Sequence, residues 1–128
     1  MPKALPLLDD VSPLCCAPLA STPDFPEEDA VRLAIRLKAL ADPVRLRLIA
    51  SLLGQPTREA CTCELAPILG VSEPTVSHHL KTLAKAGLVS KERRGMSVFY
   101  TPEIDALRAL GVAVRFDEID DRRGLCRA

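Results

Sequence analysis

The stretch GVSEPTVSHHLKTLAKAG, from Gly70 to Gly87, admits few conformations. Ser72 offers a hydroxyl to the free N–H groups of a first helical turn, Pro74 in that turn lacks a donor that would have no partner there, and Gly87 supplies a stop. Val76, Leu80, Leu83 and Ala84 recur at spacings of three and four, which predicts one apolar helix face. Thr75, Ser77, His78, Lys81 and Lys85 are left outward, and this face is small, hydroxylic and basic.

Such a face suits a helix that enters a DNA major groove. Short Ser and Thr side chains let the backbone come close, hydroxyls meet phosphates or base edges, and lysines further along neutralise phosphates. With Ser72 and Glu73 at its start, the candidate contact set on this helix is Ser72, Glu73, Thr75, Ser77, His78, Lys81 and Lys85. A solvated amphipathic helix presents a similar surface, so the neighbouring elements decide between the two.

Before it, Leu65, Ile68 and Leu69 predict a short helix from about Thr62 to Leu69, with Gly70 as the turn between the two. After it, Leu88-Val89 and Ser97-Val98-Phe99-Tyr100 are β-prone runs around the basic stretch KERRGM, with Gly95 at the tip. A helix-turn-helix followed by a hairpin is a winged helix-turn-helix, and Lys91, Arg93 and Arg94 on the wing would lie over a minor groove or the backbone. The rest of the chain carries a helix over about 26–41, a second capped by Asp42-Pro43 and closed by Gly54, and a last one from about Pro102. In the second helix, Arg45 and Arg47 are expected on the wet side. The expected fold class is mainly α with a small β-hairpin wing, in the order α-α-α-α-β-β-α.

Prolines 2, 6, 13, 18, 23 and 26 precede the first convincing helix, so residues 1–25 read as an extended arm. The winged domain is expected over 26–119 and a polar tail over 120–128. Formal net charge is zero over the 128 residues, yet the charges are segregated. Residues 1–30 carry one lysine against six acidic side chains, whereas 72–94 carry five basic against two acidic, the footprint expected of a nucleic-acid-binding face. No apolar run approaches a membrane span of roughly 20 residues, and the expected location is the cytosol.

In a cytosolic protein the five cysteines should stay mostly reduced and serve as ligands or sensors rather than as a disulfide frame. Cys61 and Cys63, in CTCEL, flank a helix start whose free amides favour thiolates. Two sulfurs do not complete a site, because structural zinc takes four ligands and pyramidal As(III) or Sb(III) takes three sulfurs. Cys15 and Cys16 in the arm are the expected additional donors, since a Pro-rich acidic segment offers no core in which to bury them. Cys126 reads as an incidental thiol. Of the adjacent histidines, which point about 100° apart on a helix, His78 is expected toward DNA and His79 toward the helix packing. No Gly-rich phosphate loop, G-x-S-x-G or Cys-x₅-Arg loop is present, and an enzyme is not expected.

The combination of ALADPVRLRLI with VSEPTVSHHLKTLAKAGLV resembles the ArsR/SmtB family of metal-responsive repressors over about residues 31–101. The resemblance implies a homodimer formed by the first and last helices, a recognition helix over Glu73 to Ala86, and repression of an operator relieved by an inducer ion. EACTCEL keeps Cys61 and Cys63 of the family's third-helix site, but Ala66 stands where one type of arsenic-sensing member adds a third cysteine. Cadmium- and lead-sensing members draw sulfurs from an N-terminal arm instead, often the partner's, and other arsenic repressors of the family carry a Cys-Cys pair ahead of the first helix. The family's last-helix zinc site needs histidine, and residues 103–121 contain none.

These readings combine into an expected function: a repressor released by As(III) or Sb(III) at Cys15, Cys16 and one or both of Cys61 and Cys63. Cd(II) or Pb(II) at the same sulfurs is the alternative within the class. A thiol redox sensor, with Cys15 or Cys16 bonded to Cys61 or Cys63, is the alternative outside it.

Overall fold

Asp42 fixes the start of a helix before any tertiary contact is needed: its carboxylate accepts from the N–H groups of Val44 at 2.9 Å and Arg45 at 3.3 Å, with Pro43 as the first helical residue. Local chemistry of this kind recurs at several helix ends in the computed structural model, which describes residues 24–115. Cys15, Cys16, Cys126, the tail and nearly all of the expected arm lie outside the described residues.

The elements are α1 (Glu27–Leu40), α2 (Pro43–Gly54), β1 (Ala60–Cys61), α3 (Thr62–Leu69), α4 (Glu73–Lys85), β2 (Val89–Arg94), β3 (Ser97–Pro102) and α5 (Ile104–Ala113). Gly70, at φ 71°, takes the left-handed turn out of α3, and Val71 N–H returns to the Ala66 carbonyl at 3.3 Å. Ser72 then caps α4, its hydroxyl accepting from Thr75 N–H at 3.4 Å. Gly87, at φ 76°, ends α4 in a Schellman turn: Leu88 N–H reaches the Leu83 carbonyl and Gly87 N–H the Ala84 carbonyl, both at 3.0 Å.

The core joins Leu48 and Leu52 of α2, Leu65 and Leu69 of α3, Val76, Leu80 and Leu83 of α4, and Tyr100 of β3, with Leu33 and Leu110 closing it from α1 and α5. Two apolar side chains of α1 and α2 lie at the surface, Leu37 at 38% and Leu53 at 40% exposed, while Ile35 and Arg36 of α1 are buried. The Arg36 guanidinium donates to the Arg32 carbonyl at 3.3 Å one turn back.

Two corrections concern the sheet. It has three antiparallel strands in the order β1-β3-β2, because Ala60 pairs with Tyr100 and Cys61 with Phe99. Two residues carry no periodicity, and β1 exists only because β3 offers a free edge. The wing is also longer than the β-prone runs suggest, since β2 continues through Lys91–Arg94 and only Gly95 and Met96 turn the chain. Gly95 takes φ 60° at the first position of this two-residue turn, a conformation that favours glycine.

Candidate functional site: a basic groove with a cysteine pair

The outward side of α4 carries what the sequence promises. Thr75, His78, Lys81 and Lys85 are exposed and Ser77 is half-buried, while Val76, Leu80 and Leu83 are fully buried beneath. Lys81 and Lys85 of α4, and Lys91 and Arg93 of the wing, are all exposed and none takes part in a salt bridge among the described residues. Desolvating an unpaired exposed cation against a phosphate breaks no ion pair, so these four are the natural anion contacts. Ser72 is partly engaged by the cap and by Thr75 Oγ1 at 2.8 Å, and Glu73 Oε1 receives the Thr62 hydroxyl at 3.5 Å.

His78 and His79 diverge as expected. His78 is exposed, and His79 is half-buried against α2, where its Nδ1 accepts from Arg45 Nε at 3.1 Å. Arg45 therefore leaves the wet side assigned to it and ties α2 to α4, its guanidinium also reaching the Ala39 carbonyl at 3.5 Å. Arg47 does similar service at the end of α3, donating to the Leu69 carbonyl at 3.4 Å.

Arg94 is the clearest departure among the candidate DNA contacts. Its guanidinium is bidentate to Glu59 at 2.7 and 2.9 Å, is bonded to Glu92 at 2.6 Å, and lies 4.8 Å from the centre of the Phe99 ring. These bonds hold its pKa above the ordinary arginine value, the one from Glu59 most strongly, and the same bond draws the Glu59 carboxyl below its own. A guanidinium held in this way ties the tip end of the wing to the loop before β1 rather than reaching for a phosphate. Its partner Glu59 lies 35 residues away in sequence, so a local charge count could not reveal it.

Between α3, α4 and the wing runs a groove of about 580 Å³ lined by Lys81, Lys91, Arg93, Glu73, Ser77, Cys61 and Cys63 among others. The two sulfurs, expected as free thiols, are bonded to each other. The reason is local: the strand-to-helix transition brings the two Cα atoms to 5.3 Å, within the span a disulfide bridges. Cys61 is 4% exposed and pairs with Phe99 across the sheet, whereas Cys63 is exposed. Glu64 secures the turn, its carboxylate accepting from Cys61 N–H at 3.0 Å.

A bonded pair has no thiolate to give a metal, so ligation by these residues requires their reduction. Among the described residues no group of three or more His, Cys, Asp or Glu side chains is arranged to hold an ion. The chemistry of the reduced pair fits two positions of a thiophilic ion's shell and leaves at least one to residues elsewhere.

A profile described as bacterial regulatory protein, arsR family, matches residues 42–91, from the α2 cap into the wing. The transcriptional repressor SmtB homolog of Synechocystis is 40% identical over 97 residues, covering 70% of this chain and 71% of the relative. The chain belongs to the arsR family of bacterial regulatory proteins.

Other relatives within the family differ in the metal their names carry. The cadmium resistance regulatory protein CadC of Listeria innocua is 35% identical over 63% of this chain and 67% of its own. A putative arsenical resistance operon repressor ArsR2 of Halobacterium salinarum is 30% identical over 90% and 88%. Among solved structures, the AntR antimony-specific transcriptional repressor superposes with TM-score 0.58 at 27% identity, covering 69% of this chain and 78% of that one. The homodimeric winged helix-turn-helix DNA-binding domain Mb0332 of Mycobacterium bovis superposes with TM-score 0.54 at 27% identity, covering 66% and 74%.

The arsR-family chain is accordingly a DNA-binding transcriptional repressor and not an enzyme. No helix among its described residues is long and apolar enough to cross a membrane.

Proposed function

We propose that this arsR-family repressor acts as a homodimer that places α4 in the major groove of its operator and the wing beside it, and that it is released by a thiophilic metalloid, As(III) or Sb(III). The observation that carries the reading is the placement of Cys61 and Cys63 on the groove that α4 and the wing form between them. In the reduced state these sulfurs supply part of a soft-ion site, and Cys15 and Cys16 supply the rest. We assign DNA contact to Thr75, Ser77, His78, Lys81, Lys85, Lys91 and Arg93, with Ser72 and Glu73 contributing at the helix start. Arg94 is reassigned to positioning the wing.

The domain reading that accompanies this is an arm over 1–25, the winged domain over 26–119 and a tail over 120–128, with α1 and α5 forming the dimer. Two recognition helices in such a dimer must stand about 34–36 Å apart to meet successive major grooves. A change at the α3 start needs to shift the helices only enough to cost 1–3 kcal/mol, roughly 5- to 150-fold in affinity.

The name of the antimony-specific neighbour and those of the arsenical relatives favour the metalloid reading, and the cadmium resistance relative favours Cd(II) or Pb(II) at the same sulfurs. The deciding experiment is operator binding by the reduced protein titrated with arsenite, antimonite and cadmium, repeated with Cys15→Ser/Cys16→Ser. Release by arsenite or antimonite that disappears in the double variant is the expected result. Release by cadmium alone replaces the metalloid with a divalent ion, and release by none of them overturns the sensory reading.

A further inference from the structure

The bonded sulfurs open onto a groove whose charge does not match a purely structural disulfide. Cys61 and Cys63 both line the groove, but Cys63 is exposed whereas Cys61 is only 4% exposed, so Cys63 is the more accessible of the two to a reagent arriving through the groove. The same groove presents Lys81, Lys91 and Arg93 against the single carboxylate of Glu73. We infer that the Cys61–Cys63 disulfide is a thiol–disulfide exchange site selective for anionic low-molecular-weight thiols, with Cys63 as the sulfur attacked.

The chemistry is self-contained. An incoming thiolate attacks Cys63 Sγ, forms a mixed disulfide there and breaks the bond to Cys61, whose sulfur leaves with the electron pair as a thiolate at the start of α3. A second thiolate attacks the outer sulfur of the mixed disulfide, releases the oxidised small molecule and leaves Cys63 reduced. Two thiols are oxidised and one protein disulfide is reduced, and the reverse sequence with the small-molecule disulfide restores the bond. Three cations concentrate an anionic reagent at the mouth of the groove and repel a cationic one, an effect that weakens as salt shortens the screening length from about 30 Å at 0.01 M to about 3 Å at 1 M.

The inference goes beyond the inducer response and does not rest on it, because exchange needs neither DNA nor metal. The test uses the full chain carrying Cys15→Ser, Cys16→Ser and Cys126→Ser, oxidised with the disulfide of mercaptoethanesulfonate. It is then reduced in parallel by mercaptoethanesulfonate and by cysteamine, with rates corrected to equal thiolate concentration. Acid quenching, alkylation and fragment mass spectrometry report the rate and the position of the mixed disulfide.

The expected result is a preference of roughly tenfold for the sulfonate at low ionic strength, collapsing at 1 M salt and in Lys81→Gln/Lys91→Gln/Arg93→Gln, with the adduct on Cys63. Circular dichroism of the triple glutamine variant confirms that it is folded, and these surface positions bury nothing. Equal rates for the two thiols, an adduct on Cys61, or failure of the pair to oxidise overturns the inference. None of these outcomes bears on whether an ion releases the operator, so the two readings fail separately.

Discussion

Arg45 Nε donates to His79 Nδ1 across 3.1 Å, and this bond joins the helix that carries the family's Asp-Pro cap to the helix that carries the basic face. His79 is thereby held to α2 while His78, its neighbour, is free to face outward.

A bond between half-buried side chains on two packed helices should be measurable as a coupling. A double-mutant cycle with Arg45→Met and His79→Phe is expected to return about 1 kcal/mol in urea unfolding. Strictly additive losses would mean that the contact holds nothing together.

Lys81 projects from the centre of the exposed face without an ion pair, so its replacement should weaken binding without touching the core. Lys81→Gln is expected to lower the slope of log affinity against log salt by about 1, the signature of one lost phosphate contact. Lys81→Glu should weaken binding further, and sedimentation should show the oligomeric state unchanged in both. An unaltered mobility-shift titration of Lys81→Glu would remove α4 from the interface.

The Glu59–Arg94 clamp makes a pH-dependent prediction. The Glu59 carboxyl is held below its ordinary value of 4.5, first by the Arg94 hydrogen bond. A depressed carboxyl stabilises the folded state above its unfolded pKa, and that contribution is lost as pH falls through the folded pKa. Wild type should therefore melt above Arg94→Gln at neutral pH, and the gap should close below pH 4.5. A gap independent of pH would mean that the arginine acts through Phe99 packing alone. Operator binding should fall less in Arg94→Gln than in Arg93→Gln.

Asp42 caps α2 through two backbone N–H groups, and Asp42→Ala leaves both to water. The expected cost is about 1 kcal/mol, read as a lower midpoint with an unchanged slope in urea. Asp42→Asn, which keeps an acceptor, should recover most of it.

The α3-turn-α4 unit was legible because its signals are local: Gly70 and Gly87 adopt the left-handed turns and Ser72 the cap that their residue types anticipate. What escaped depends on partners far along the chain. Glu59 meets Arg94 across 35 residues and Arg45 meets His79 across 34, and neither pairing leaves a trace in periodicity or net charge. In the sequence Arg94 therefore reads as a free cation like Arg93, whereas in the fold it is paired with Glu59 and Glu92. The strand β1 shows no pattern of its own because it is two residues long, and without it the proximity of Cys61 to the wing could not be read. The bond between Cys61 and Cys63 follows from the geometry of the helix start, whereas compartment arguments speak only to the population of thiols.

Such a short β1 also limits how the protein can drift over evolution. A strand of two residues has one workable register: sliding it by one position moves each of Ala60 and Cys61 to the face it does not now occupy. The five residues 55–59 that lead into it set that register by their number alone. Surface loops ordinarily tolerate a gained or lost residue, but here a single insertion would leave the winged domain folded and carry its sulfur to the wrong side. Descendants of this chain should therefore vary freely in the letters of that loop while keeping its length.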